Sequence, residues 1–223
     1  MENQKIYLPG QKQPQEVDVE CVHSGDYALL LIPKNAGNTI GRCSTHPNIS
    51  KWDLHKNSIE TLIVLLRDPL ERWISGTTEW IIWKLQDELN VWRWRPEKMT
   101  WKQEQHLYHT KKTVMEDLDS IGPEQHTAPQ TQFLCWDKQY KGDVKYHMLN
   151  KNTFKNLEKL YSLDFQLDTH YTDRRTNFNT TEELFTKQLV KEWLVKFQLP
   201  KRKEKILEFY KDDYNFIKKN KFF

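Results

Sequence analysis

Apolar positions along this chain follow two rhythms. Short unbroken runs, YALLLI at 27–32 and TLIVLL at 61–66, have the length and continuity of strands buried on both faces. VKYHML at 144–149 predicts a third strand, and VDVECVH at 17–23, alternating at period two, predicts an edge strand. Elsewhere the apolar residues recur at helical spacing. Leu70, Trp73, Ile74, Thr77, Ile81 and Leu85 form a stripe directly after the second run. Its start is well marked, with Asp68 to cap, Pro69 at the first helical position and Glu71 to complete a capping box. Further helices are predicted at 152–163, capped by Asn152 or Thr153, and at 179–197, with Thr180 and Glu183 as a capping box. In the C-terminal tail, Ile206, Tyr210, Tyr214 and Ile217 share one helical face. Strand, turn and helix in repeated order predict an α/β domain around a parallel sheet. A single domain over 1–223 is expected, with a polar lead-in at 1–24 and a helical insertion at 86–130 that forms the acceptor site.

Composition narrows the classes. Only 37% of the 223 residues are hydrophobic and the mean hydropathy is −0.85, so the core is small relative to a polar surface. An aromatic share of 13%, with nine Trp, argues against disorder and for packing by large rings. A net charge of +3 suits an anionic ligand and is too weak to imply nucleic acid. The three cysteines, Cys21, Cys43 and Cys135, lie far apart and form neither a disulfide framework nor a zinc spacing. With a polar start and no apolar run of membrane-spanning length, a soluble, cytoplasmic protein without an integral membrane segment is expected.

Two stretches carry candidate chemistry. PKNAGNT at 33–39 follows the first buried strand and leads into a helix. Consecutive backbone N–H groups in such a turn form an anion nest, and the helix adds its positive end. Gly37 permits a backbone shape that a side chain would block, Lys34 supplies a point charge, and Asn38 and Thr39 donate at the helix start. The stretch departs from the G-x-x-x-x-G-K-[ST] loop of nucleotide hydrolases, because its lysine comes before the turn. An ordinary strand-to-helix turn with a surface lysine has the same sequence. RDPLERWISG at 67–76 repeats the geometry after the second strand. Arg67 leaves the strand's carboxyl end and Ser75 follows two helical turns on, a fork and a hydroxyl suited to a phosphate monoester. Arg67 could equally pair with Asp68 or Glu71, and Ser75 could serve as a small residue at a helix–sheet contact.

Together these residues resemble the sulfotransferases that use 3′-phosphoadenosine 5′-phosphosulfate. IPKNAGNTI resembles their 5′-phosphosulfate loop and LLRDPLERWISG their 3′-phosphate motif. EQHTAPQTQFLC at 124–135 resembles a His-and-Gln segment of the Golgi-type carbohydrate branch, and FYKDDYNFIKK at 209–219 resembles its Tyr-x-x-Asp-Tyr ending. The resemblance implies a P-loop-like three-layer fold with a central, mostly parallel sheet, and sulfuryl transfer to a hydroxyl, with saccharides among the acceptors. It implies donor binding by Lys34, Asn35, Ala36, Gly37, Asn38 and Thr39 at one end and by Arg67 and Ser75 at the other. Arg174 and Arg175, in YTDRRTNFN, resemble a later basic loop that closes over the 3′-phosphate, and are equally two solvated loop arginines. Golgi members carry a membrane anchor, which this chain does not show, so a bacterial or viral relative fits better.

The resemblance further implies that Lys34 and the loop amides neutralise charge on the leaving 5′-phosphate, in place of a metal. The acceptor hydroxyl needs a base. His46, then His55, are the candidates between the two motifs, and His126 is a candidate on the substrate side. Two other classes compete. VWRWRPEKMTWKQEQ at 91–105 interleaves Trp with basic residues, as nucleic-acid surfaces do, but also holds Glu97 and Glu104. A metal-dependent nucleotide kinase would need the loop ending that is missing here.

Overall fold

The structure, a computed structural model, describes residues 4–6, 15–17, 20–32, 35, 48–50, 59–89, 118–119, 121, 125–134, 140–163, 187–188 and 190–220. Two short strands, β1 (Gln4–Ile6) and β2 (Gln15–Val17), pair antiparallel in a sheet of their own. The main sheet has five strands: β3 (Glu20–Ser24), β4 (Tyr27–Leu30), β5 (Asn48–Ser50), β6 (Thr61–Leu66) and β7 (Asp143–Met148). Their spatial order is β5-β3-β4-β6-β7. The chain is therefore α/β.

The two unbroken apolar runs form the sheet's centre. Along β6, Leu62, Val64 and Leu66 enter one core cluster, while Ile63 and Leu65 enter another on the opposite face. Residues of β4 divide likewise, Ala28 and Leu30 against Leu29. Period-two alternation on a strand apolar on both sides requires cover on both sides. Helix α2 (Thr153–Tyr161) supplies it through Phe154, Leu157 and Tyr161. The 3-10 turn Gln130–Leu134 and the C-terminal helix α4 (Lys211–Lys219) supply it on the other face through Phe133, Leu134, Phe216 and Ile217.

The sheet is mixed and, as expected, mostly parallel: four of its five strands run one way and β3 the other. β4, β6 and β7 run parallel, but β3 is antiparallel to both β4 and β5. The cause is local. Gly25, at φ 55°, makes a tight two-residue turn from β3 into β4, and so short a link can join only antiparallel strands. VDVECVH is not one edge strand. Val17 ends β2, while Glu20–Ser24 lies inside the main sheet with Cys21 and Val22 fully buried. The polar lead-in thus includes a core strand.

Helix α1 (Pro69–Leu89) starts where its signals place it. The Asp68 carboxylate accepts the N–H groups of Leu70 and Glu71, both at 3.0 Å. Trp73, Ile74 and Ile81 join a cluster with Leu118, Ile121, Leu194, Ile206 and Tyr210, so part of the expected insertion packs against α1. Among the described residues, the predicted helix at 179–197 is seen at 187–188 and from 190 onward, and its proposed cap lies outside them. It enters a π turn at Leu194–Gln198 and continues as α3 (Leu199–Phe209). Pro200, without an N–H to give, follows that change of pitch. On the tail face Ile206, Tyr210 and Ile217 are buried and Tyr214 is half-buried, and Tyr210 divides the stretch into α3 and α4. Among the described residues no helix is long and apolar enough to cross a membrane.

Candidate functional site

Adjacent parallel strands bring their carboxyl ends to the same edge of a sheet, so the turns leaving β4 and β6 are neighbours. Gln130 locks them together. Its side-chain oxygen accepts from the Asn35 amide at 2.7 Å and from the Arg67 backbone N–H at 3.0 Å, and its amide donates to the Arg67 carbonyl at 2.8 Å. Asn35 also donates to the Leu65 carbonyl at 2.8 Å. Both Asn35 and Gln130 are 1% exposed, so these bonds lie away from water, where leaving one unmade is costly.

Arg72 closes this network from α1. Its guanidinium is fully buried, donates to the Ala128 carbonyl at 3.1 and 2.8 Å and to Asn35 Oδ1 at 3.3 Å, and lies over the Phe133 ring. From α4, the Asp213 carboxylate accepts the N–H groups of Gln130 and Thr131, each at 2.9 Å, and the Thr131 hydroxyl at 2.6 Å. Burial raises the Asp213 pKa, against the opposing pull of these bonds and of Arg72. The Tyr210 hydroxyl donates to the Thr127 carbonyl, and burial pushes its pKa up as well. Tyr214 is pushed up to about 12, first by burial and then by the Asp68 charge. Both hydroxyls are therefore neutral near pH 7.

Outside the same turn is a cleft of about 460 Å³. Arg67 and Ser75 both line it. Arg67 Nε lies 3.5 Å from the Glu71 carboxylate, the ion pair that the sequence also allows. Lys187 and Lys191 line the cleft too, with Lys187 Nζ 3.6 Å from Glu79. Next to Ser75, Gly76 lets the Gln125–Thr127 turn touch α1, since a Cβ there would sit 2.5 Å from the His126 carbonyl oxygen. His126 is half-buried, with its backbone against α1 beside Ser75.

Of the residues predicted from sequence, Arg67 and Ser75 come together in one cleft. Asn35 has a different role from the donor contact expected of it. Its side chain is spent on Leu65, Gln130 and Arg72, and its N–H on the Ile32 carbonyl at 3.0 Å, so it braces the turn from beneath. Lys34, Ala36, Gly37, Asn38, Thr39, His46, His55, Arg174 and Arg175 lie outside the described residues. Sequence reasoning missed Gln130, Asp213 and Arg72 as braces, and Lys187 and Lys191 as cleft residues. The three braces sit in segments already marked by the family resemblance. The two lysines, one helical turn apart, share a face by spacing alone, but only tertiary packing turns that face toward α1. Among the described residues no three His, Cys, Asp or Glu side chains gather as a metal site. No protein-family model, curated protein or solved structure matches the chain.

Proposed function

We propose that this chain is a sulfotransferase of P-loop-like fold, moving the sulfuryl group of 3′-phosphoadenosine 5′-phosphosulfate to a hydroxyl acceptor. One observation carries the reading: Arg67 and Ser75 line one cleft at the carboxyl end of β6, and the strand beside it leads into PKNAGNT. A guanidinium fork and a hydroxyl suit the 3′-phosphate. Lys34 and the backbone N–H groups of 36–39 suit the phosphosulfate at the other end of the nucleotide. In the reaction the acceptor oxygen forms a bond to sulfur as the bond from sulfur to the 5′-phosphate oxygen breaks. The acceptor proton passes to His46 or His55, and adenosine 3′,5′-bisphosphate leaves. The grip on the 3′-phosphate uses remote binding energy to hold sulfur in line with the acceptor.

Calorimetry with adenosine 3′,5′-bisphosphate and with ATP tests this. The bisphosphate binds in preference to ATP, and Arg67→Ala weakens it by about tenfold or more, the scale of a charge-assisted fork. Equal affinity for ATP, undisturbed by the substitution, overturns the donor assignment and favours a kinase-like protein.

A further inference from the structure

The cleft beside β6 has a wall that neither donor motif supplies. Arg67 and Ser75 line it from the α1 side, while Lys187 and Lys191 reach it from the helix that runs into the π turn. Two carboxylates share the space. Glu71 is 3.5 Å from Arg67, and Glu79 is 3.6 Å from Lys187. The Lys187 and Glu79 side chains are only 28% and 22% exposed, whereas Glu71 is 66% exposed.

We propose that Lys187 and Lys191 bind the same phosphate monoester as Arg67, and that Glu79 is a resident counter-charge which a phosphate dianion displaces from Lys187. The identity of the ligand as a nucleotide rests on the function proposed above; the assignment of the wall does not. The physical case has three parts. First, three cations lining a space of about 460 Å³ repel one another unless anions sit among them, and Glu71 and Glu79 do so. Second, partly exposed ion pairs are weak, so exchanging a carboxylate for a stronger anion costs little. Third, a dianion gains contacts with several cations at once, while a monoanion only replaces what Glu79 already gives. The cleft therefore favours a phosphate monoester over a monoanionic ligand of similar size.

The test titrates adenosine 3′,5′-bisphosphate by calorimetry, and inorganic phosphate by NMR, into wild type, Glu79→Gln, and the Lys187→Ala/Lys191→Ala double variant. Glu79→Gln tightens both ligands by roughly threefold or more, because Lys187 loses its competitor. The double variant weakens both by about tenfold, with its melting temperature close to wild type. Where the double variant does not fold, Lys191→Ala alone, at an exposed position, weakens binding by roughly threefold. Wild-type affinity in the lysine variants, or weaker binding in Glu79→Gln, overturns the assignment. If Arg67→Ala loses the bisphosphate while the lysine variants keep it, the donor reading stands and the second wall falls. If wild type ignores the bisphosphate but its phosphate affinity follows Glu79→Gln and the lysines, the donor reading falls and the wall stands. Binding of neither ligand to wild type overturns both.

Discussion

Two regions meet at the turn after β6 and differ in every physical respect. Beneath it, Gln130, Asn35, Arg72 and Asp213 form a buried network joined by bonds of 2.6–3.3 Å. Above it, Arg67 and Lys187 hold carboxylates at 3.5 and 3.6 Å beside the cleft. Arg67 belongs to both, its backbone clamped by Gln130 and its side chain in an exchangeable pair. The contrast teaches where stability and binding are kept. Bonds that water cannot replace hold the frame, and bonds that water and anions can replace are left for a ligand.

The largest effect should come from breaking the frame at its charge. Arg72→Ala strips the donors from Ala128 and Asn35 and leaves buried Asp213 without its nearby cation, at a cost of about 3–5 kcal/mol in urea unfolding. Next comes Gln130→Ala. It leaves the Arg67 N–H and carbonyl without their partner, which costs about 2–3 kcal/mol, and weakens bisphosphate binding although Gln130 does not line the cleft. Stability loss without any change in affinity would separate the two regions that this turn is said to join. Arg67→Ala is the opposite case. Stability falls by less than about 1 kcal/mol, because the pair with Glu71 is long at 3.5 Å and the Glu71 carboxylate is 66% exposed, while ligand binding drops. A large stability loss here would move Arg67 into the frame.

The smallest effect calibrates both regions. His147, on β7, faces Tyr161 of α2 at 2.8 Å on the other side of the sheet, and burial lowers its pKa. As pH falls below 6.5 the unfolded chain takes up the proton first. Stability supplied by neutral His147 is thus full above that value and is lost as pH falls through the folded-state pKa. His147→Gln should flatten this part of the stability–pH curve, measured by urea unfolding, and leave anion affinity at pH 7.5 unchanged. An unflattened curve would place the titration elsewhere.

Legibility in the sequence followed the range of the interactions. TLIVLL gave β6 residue for residue, and Asp68-Pro69 fixed the start of α1, because burial on both faces and end-capping are local signals. That Arg67 and Ser75 lie near one another was legible too, since Arg67 sits just before α1 and Ser75 within it. What escaped depends on distant partners. Cys21 and Val22 look like half of an edge strand until β5 covers that edge. Asn35 reads as an anion donor until Gln130 and Arg72 claim its amide. Lys187 and Lys191 line the cleft only because α1 is set against their helix.

The hold of Asp213 on Gln130 and Thr131 has a consequence for biosynthesis. A ribosome releases β4, β6 and α1 long before α4, and sheet pairing alone leaves the Gln130 turn without its anchor. Contacts so far apart in sequence close late. The turn after β6 thus acquires its full bracing only once α4 has emerged, and a nascent chain stalled short of that point would carry the motifs without the geometry.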